Sequence, residues 1–277
     1  MTIEPKTTAE RRLIAGVAGG GPVDVGTGDQ REPIRADLIR DICLNPDDYQ
    51  VPPRGLRIER AIIKETLDLH SATVKRPLVF WDCQFDQPID LEDARVRTTG
   101  LLNCETVAIS ADNLRVDGNL FFDRTTVNGE VRLLGAHIEG SLYCIDAKLS
   151  NKDGHALGAD RMKTGGGVFL NDLTAEGDVW LLGAKIGGGL SCDGAKLSNR
   201  GEPALSADGM ETGGDVFLQN GFLAEGEVRL LGAKIGGVLG CRGATLENEG
   251  GNVFTAEGMV VKGGIFWDRQ KNRRWAG

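Results

Sequence analysis

From Leu56 onward, apolar residues return at a fixed interval. Ile58, Leu69, Phe80, Leu91 and Leu102 are each 11 apart, and so are Ile63, Val74, Phe85, Val96 and Val107. Small residues at Ala61, Ala72, Cys83 and Ala94 precede the second set by two. The large positions therefore alternate in steps of 5 and 6. A helix would bury every third or fourth residue, and the Gly, Thr, Val and Asp content is wrong for one. An ordinary strand array would alternate between turn signals rather than hold so strict a register. The pattern predicts short parallel strands, each turning a corner, with the same position pointing inward in every coil.

Past Asp117 a longer period is laid over the first. GEVRLLGAHIEGSLYC at Gly129–Cys144 returns as GDVWLLGAKIGGGLSC at Gly177–Cys192 and as GEVRLLGAKIGGVLGC at Gly226–Cys241, with starts 48 and 49 residues apart. Self-similarity of this kind marks a repeat architecture. Each super-repeat reads as one coil of about 22 residues plus one coil enlarged by about four at a loop: Asn151–Asp160, Asn199–Asp208 and Asn248–Glu257. Glycine at the corners supplies backbone conformations that side chains resist. About ten coils at ~4.8 Å each would make a rod about 45–50 Å long.

Residues 1–50 are different in kind. Thr8–Val17 reads as a short helix broken by the glycines before Pro22, and Val23–Val25 as one short strand. Pro33–Leu44 predicts an amphipathic helix with Ile34, Leu38 and Ile42 on one face. This helix is expected to lie across the open end of the coils, with Asn45–Gly55 as linker. The organisation expected is a helical cap over 1–50, a parallel β-helix over 51–267 and a tail over 268–277. Ile265 and Trp267 should belong to the last coil, whose uncapped edge would be covered by the tail, by further chain or by a second copy; a homodimer through this end is the expectation.

The small positions carry the resemblance to a family. Ala61/Ile63, Ala72/Val74, Cys83/Phe85, Ala94/Val96, Ala136/Ile138, Ala184/Ile186, Ala233/Ile235 and Ala244/Leu246 pair a small residue with a large one two later. This resembles the pentapeptide-repeat family over about Leu56–Trp267, although that family's steps of five are here steps of 5 and 6. The resemblance implies an all-β, right-handed parallel β-helix of quadrilateral cross-section, each coil being two of the paired steps; a triangular section stays open. It also implies one activity to consider, since some members mimic DNA and regulate type II topoisomerases as acidic dimeric rods.

Composition narrows the chemistry. The chain has 277 residues, a net charge of −8 and a pI near 5.1. Such a balance argues against direct nucleic-acid binding, and Lys148, Lys163, Lys185, Lys196 and Lys234 interrupt any acidic stripe. No run of about 20 apolar residues offers a membrane span, and the N-terminus has no apolar core of signal-peptide length, so the expected compartment is the cytoplasm. Cys144, Cys192 and Cys241 fall two coils apart, about 9–10 Å, too far for disulfides, and read as small core fillers. His70, His137 and His155 occur singly, with no zinc-type spacing. Gly165–Gly167 lacks the Gly-Lys-Ser/Thr of a phosphate loop. No cofactor, metal or catalytic residue is expected.

The acids Glu130, Asp178 and Glu227 recur with Arg132, Trp180 and Arg229 two residues on, and read as a solvated ladder. Phe121, Phe169, Phe217 and Phe266 recur at 48, 48 and 49, flanked by inward residues, so parity points them outward. They form either a binding stripe or a second small core covered by the loops, whose apolar pairs Ala156-Leu157, Ala204-Leu205 and Val253-Phe254 are otherwise unexplained. Asn151, Asn199 and Asn248 align at the loop tips, as binding residues or as turn residues in an asparagine ladder. These Phe and Asn positions, with Trp180, are the candidate interaction surface. The leading expectation is a non-enzymatic scaffold for an unknown protein partner; the alternatives are the DNA-mimic regulator and a carbohydrate-active enzyme, which would need a cleft holding two carboxylates.

Overall fold

The computed structural model describes residues 2–268. Every ladder between its strands is parallel, and one stack alone runs to 11 strands. The chain is a β-solenoid of about 10 turns with about 22 residues per coil. Each coil crosses four walls in turn. In the coil that begins at Thr99 the strands are Thr99–Leu102, Glu105–Thr106, Ile109–Ser110 and Arg115–Val116, after which Leu120–Phe121 returns to the first wall. The cross-section is thus four-sided, as the resemblance to the pentapeptide-repeat family implies, and not triangular. The second and third walls are joined into one hydrogen-bonded sheet, because some strands bend through the corner between them.

Along the outer row of the first wall, Val79, Gly100, Phe121, Tyr143, Phe169, Ser191, Phe217, Gly240 and Phe266 are stacked partners. Their positions advance by 21, 21, 22, 26, 22, 26, 23 and 26, so the last three pairs of coils sum to 48, 48 and 49. Plain and enlarged coils alternate.

The inward positions form one continuous apolar core. The 11-residue register holds through Val96 and then slips. Leu101, not Leu102, is buried opposite Phe80, and Thr106 replaces Val107, which is exposed. The cause is that the coil from Phe80 to Leu101 falls one residue short of two full steps, which advances the inward position by one. Phe122, Cys144, Leu170, Cys192, Leu218 and Cys241 follow one another up the core, so the three cysteines are separated by leucines. Burial pushes their thiols up, as befits inert fillers.

The segment before the linker is built partly from the same wall. The first helix, α1, is Thr8–Val17, opened by a capping box between Thr7 and Glu10. Pro22–Asp24 stacks on Arg57–Glu59. The expected helix from Pro33 begins later: Glu32–Arg35 is a strand paired with Ala61–Lys64, and α2 is Ala36–Leu44. Proline is tolerated there because the strand lies at the edge of its sheet. Ile34, Leu38 and Ile42 are all buried, so the apolar face is as expected even though Ile34 reaches it from a strand. Leu38, Ile39 and Ile42 close the end of the core. Glu10 is itself fully buried. Burial pushes its carboxyl up, but the Arg35 guanidinium, with the backbone N–H of Lys6 and of Arg35, outweighs this and holds it at about 2.

At the other end Gly264–Phe266 forms the last strand of the first wall. Ile265 and Trp267 belong to that coil but are exposed, because no described residue packs beyond them. The expected tail lies, from residue 269 on, outside the described residues.

Candidate functional site at the looped corner

The corner between the second and third walls is where the coils differ. Lys148–Gly158 and Lys196–Ser206 begin in the second wall, leave it for a loop and rejoin the third. Between them Thr174–Trp180 makes the same turn with no loop, and Leu223–Arg229 does so above. Ser150 pairs with Glu176, the register then slips, and Leu157 pairs with Val179. Long and short turns therefore alternate like the teeth and gaps of a comb.

Two devices hold this shape. Each loop is closed by its own asparagine: the side-chain amide of Asn151 donates to His155 O (2.9 Å), Asn199 to Pro203 O (2.9 Å) and Asn248 to Asn252 O (2.8 Å). The asparagines act as turn residues, but a plain coil separates each from the next and no asparagine ladder forms among them. Each short turn passes through a glycine with positive φ, Gly177 at 109° and Gly226 at 139°. A Cβ on Gly177 would lie 2.3 Å from Asn151 O, so only glycine lets the short turn tuck beneath the loop.

The gaps are cavities. The largest, about 740 Å³, lies between the first two loops over the short turn at Asp178 and Trp180. A second, about 180 Å³, shares His155 and Trp180 with it and reaches down to Glu130 and Asp160. A third, about 480 Å³, lies between the second and third loops and shares Arg200 with the first.

His155 sits at the centre of this region. Its Nδ1 is 2.6 Å from Asp178 Oδ1, and its ring meets Trp180 edge-on at 4.5 Å. Asp178 is only 5% exposed; burial pushes its carboxyl up, and the hydrogen bond and charge of His155 offset part of that. Burial likewise raises Glu130 and Asp160, with Arg132 and His155 pulling Glu130 down and His155 pulling Asp160 down. Arg132 is paired with Asp112 at 2.5 Å and Arg229 with Asp208 at 2.8 Å. Arg132 Nε, Asp160 Oδ1 and Trp180 Nε1 are buried without a hydrogen-bond partner among the described residues.

The expected solvated ladder is thus corrected. Asp178 is buried against His155, Glu130 is half-buried under the first loop, and half-buried Glu227 accepts from Thr255 Oγ1. The loops fold over these acids, a placement that the linear pattern does not show, and remove the solvent.

The Phe stripe is placed elsewhere. Phe121, Phe169, Phe217 and Phe266 line the first wall, which touches neither end of the looped corner. The loops do not cover them; Ala156-Leu157 and Ala204-Leu205 instead re-enter the main core and are fully buried, while Val253 and Phe254 pack half-buried at its upper end. The expectation of a second small core is replaced by a stack of rings. Phe121 and Phe169 lie on either side of Tyr143, with centroids 4.9 Å apart in each pair and planes within 13°. The rings cover one another and remain half-exposed. Phe266 is 43% exposed, with Arg242 over its ring. Of the sequence candidates, then, Trp180 and Asn199 line one cavity, Asn151 closes the loop beside it and Asn248 borders the next gap.

Sequence reasoning missed Tyr143, which lies one coil rather than one super-repeat from Phe121. It also missed His155, which does not recur, and Asp160, which returns as Asp208 and Glu257 at the ends of the later loops. His70, Asp90 and Glu92, from adjoining coils of the third wall, bring one nitrogen and two carboxylates within 4.8 Å, the one grouping of metal-ligand spacing among the described residues. A whole coil of intervening sequence hides that proximity.

Comparison with protein-family models, with curated proteins and with solved structures gives no match to this chain. No described helix is long and apolar enough to cross a membrane.

Proposed function

We propose that this chain is a non-enzymatic β-solenoid scaffold that holds a protein partner at its looped corner, built as a degenerate member of the pentapeptide-repeat type. One observation carries the reading. The four walls continue without change of core through the C-terminal half, while the additions to alternate coils fall at one corner and open contiguous cavities there. Repeat proteins gather their variable insertions on the face that binds. The test uses the short turns as template. Replacing residues 151–155 and 199–203 each by a single glycine removes the four added residues, copies the turn at Gly177 and leaves the walls intact. Loss of a co-purifying partner with an unchanged melting temperature supports the reading, and retention of the partner removes it.

A carbohydrate-active enzyme is the second reading, because of the two cavities that share His155 one is lined by Glu130 and Asp160 and the other by Asp178. Hydrolysis or eliminative cleavage of any neutral or acidic polysaccharide, abolished in Asp178→Asn, would put it first. The DNA-mimic reading is weakened by the fourth wall, whose outer row runs Arg95, Arg115, His137, Lys163, Lys185, Glu211 and Lys234. Failure to inhibit or protect gyrase at micromolar protein would end it. A homodimer through this end remains part of the proposal, supported by the exposure of Ile265, Phe266 and Trp267; light scattering checks it, and a monomer at all concentrations removes it.

A further inference from the structure

The three cavities of the looped corner share a pattern of charge. Every basic side chain that lines them already has an acidic partner of its own: Arg132 with Asp112, Lys152 with Glu176, His155 with Asp178, Arg200 with Glu225 and Arg229 with Asp208. The acids do not balance in the same way. Glu130 and Asp160 in the innermost cavity, Asp153 and Glu202 between the first two loops, and Glu247 and Glu249 in the last gap have no opposite charge within 4 Å among the described residues. Each cavity therefore holds two carboxylates with no ion-pair partner of their own. Trp180 stands between the first two cavities, half-buried, beside Leu182, which is 39% exposed.

Carboxylates in excess over cations in concave, partly desolvated walls focus a negative potential, and an aromatic face beside them favours a cation on an apolar stem. The cavities share lining residues in sequence and follow the solenoid axis over five coil steps, about 24 Å at ~4.8 Å each. An extended chain of about seven residues has that length at ~3.3 Å per residue. The gaps between loops lie two coils apart, about 10 Å, which matches every third residue of such a chain.

We propose that the looped corner is a docking groove for an extended basic segment of a partner protein, with lysine or arginine side chains entering successive gaps. This rests on the scaffold reading above and names the chemistry of its partner. Charge complementarity selects the occupant: the loops and their cavities present carboxylates in excess, and the basic side chains there are already paired.

The test is fluorescence anisotropy of the full chain with a fluorescein-labelled nonapeptide that has lysine at every third position and glycine between. Saturable binding that weakens with rising salt is expected. The variant Asp153→Asn, Glu202→Gln, Glu247→Gln, Glu249→Gln removes four exposed acids and should bind about tenfold more weakly, at a few tenths of a kcal/mol per exposed contact. A control with the same change of charge, Asp29→Asn, Asp48→Asn, Asp146→Asn, Asp172→Asn, at exposed acids away from the looped corner, should change affinity by less than about twofold. Equal losses in the two variants would reduce the effect to net charge and overturn the groove. Absence of saturable binding would also overturn it; if the loop replacement still releases the partner, the corner survives as a site and its basic chemistry falls. The chain carries Arg269, Lys271, Arg273 and Arg274 outside the described residues. If changing these four to glutamine raises affinity for the peptide, the occupant is this chain's own segment rather than a partner's.

Discussion

The lower coils, from Leu56 to Gly140, and the upper coils, from Ser141 to Gly240, share one core and differ at one corner. In the lower half the second wall ends and the third begins across a short break, as between Glu105–Thr106 and Ile109–Ser110. In the upper half the strand runs through the corner, for seven residues in Thr174–Trp180 and for 11 in Lys148–Gly158. The inward positions on both sides of the corner stay in register throughout, Ile109 stacking on Val131 and Val131 on Leu157. A solenoid thus tolerates four added residues per coil provided they leave and rejoin at the same inward position. The cost is borne by the neighbouring coil, which must turn through glycine to fit beneath the loop.

The most damaging way to break this arrangement is at that glycine. Gly177→Ala puts a Cβ 2.3 Å from Asn151 O and 2.6 Å from Gly154 O on a backbone with φ of 109°. Both contacts are main chain, so nothing flexible can yield. A loss of about 4 kcal/mol is expected, combining strain with a displaced loop. Gly201→Ala is the comparison: φ is 86° but no atom lies within 4 Å, so about 1 kcal/mol should be lost. Chemical denaturation of the two variants measures the difference, and equal losses would mean that the loop does not rest on the short turn.

A second pair asks whether the two halves have the same core. Leu101 in a plain coil is 5% exposed and Leu157 just past a loop is 0% exposed. Each changed to alanine should cost about 3 kcal/mol. If Leu157→Ala cost under about 1 kcal/mol, the loop ends would be a separate, pliable layer.

Acid separates the N-terminal end from the looped corner. Glu10 is held at about 2 against an ordinary 4.5, so its ionised form stabilises the fold above pH 4.5 and that contribution is lost as pH falls towards 2. The shift corresponds to about 3 kcal/mol at the end of the solenoid. The carboxyls of Glu130, Asp160 and Asp178 are displaced upward by burial, so the folded form binds protons more readily than the unfolded one, and lowering the pH through that window stabilises this region. Hydrogen exchange at pH 3 should find α1 and the strand at Glu32–Arg35 opening before Thr174–Trp180. Glu10→Gln should reproduce the same opening at pH 7. The reverse order would show that the loops, not the capped end, set the weak point.

Much of this architecture is legible in the sequence because stacking repeats each inward position. The pairs of 48 and 49, the four-residue enlargement and the core cysteines all follow from that periodicity. The register slip at Leu101 and Thr106 was not legible, since a coil shortened by one residue leaves two apolar candidates side by side. The site was harder still. His155 is bound to Asp178 across a slipped register, and neither its sequence spacing nor its position recurs in the other repeats, where Pro203 and Asn252 stand instead. Periodicity finds walls; it cannot find what happens once in a gap between loops.

The Phe stripe is the smallest test of the same contrast. Phe169 is stacked on Tyr143 in the coil below and on nothing aromatic above, where the partner is Ser191. The same outer row accepts Gly100, Ser191 and Gly240 elsewhere, so the wall does not require a ring at every coil. Phe169→Ser therefore removes one stacked pair and part of one half-exposed side chain, and about 1–2 kcal/mol should be lost. Its inward neighbour Leu170, fully buried, should cost more, about 3 kcal/mol on change to alanine. Thermal melts of the two variants decide the matter. A loss above about 3 kcal/mol for Phe169→Ser would mean that this ring is packed as core, and that the first wall, like the looped corner, carries a covered layer. A loss within the smaller range leaves the rings as an outer brace, stacked on one another in the lower and middle coils and independent of the loops.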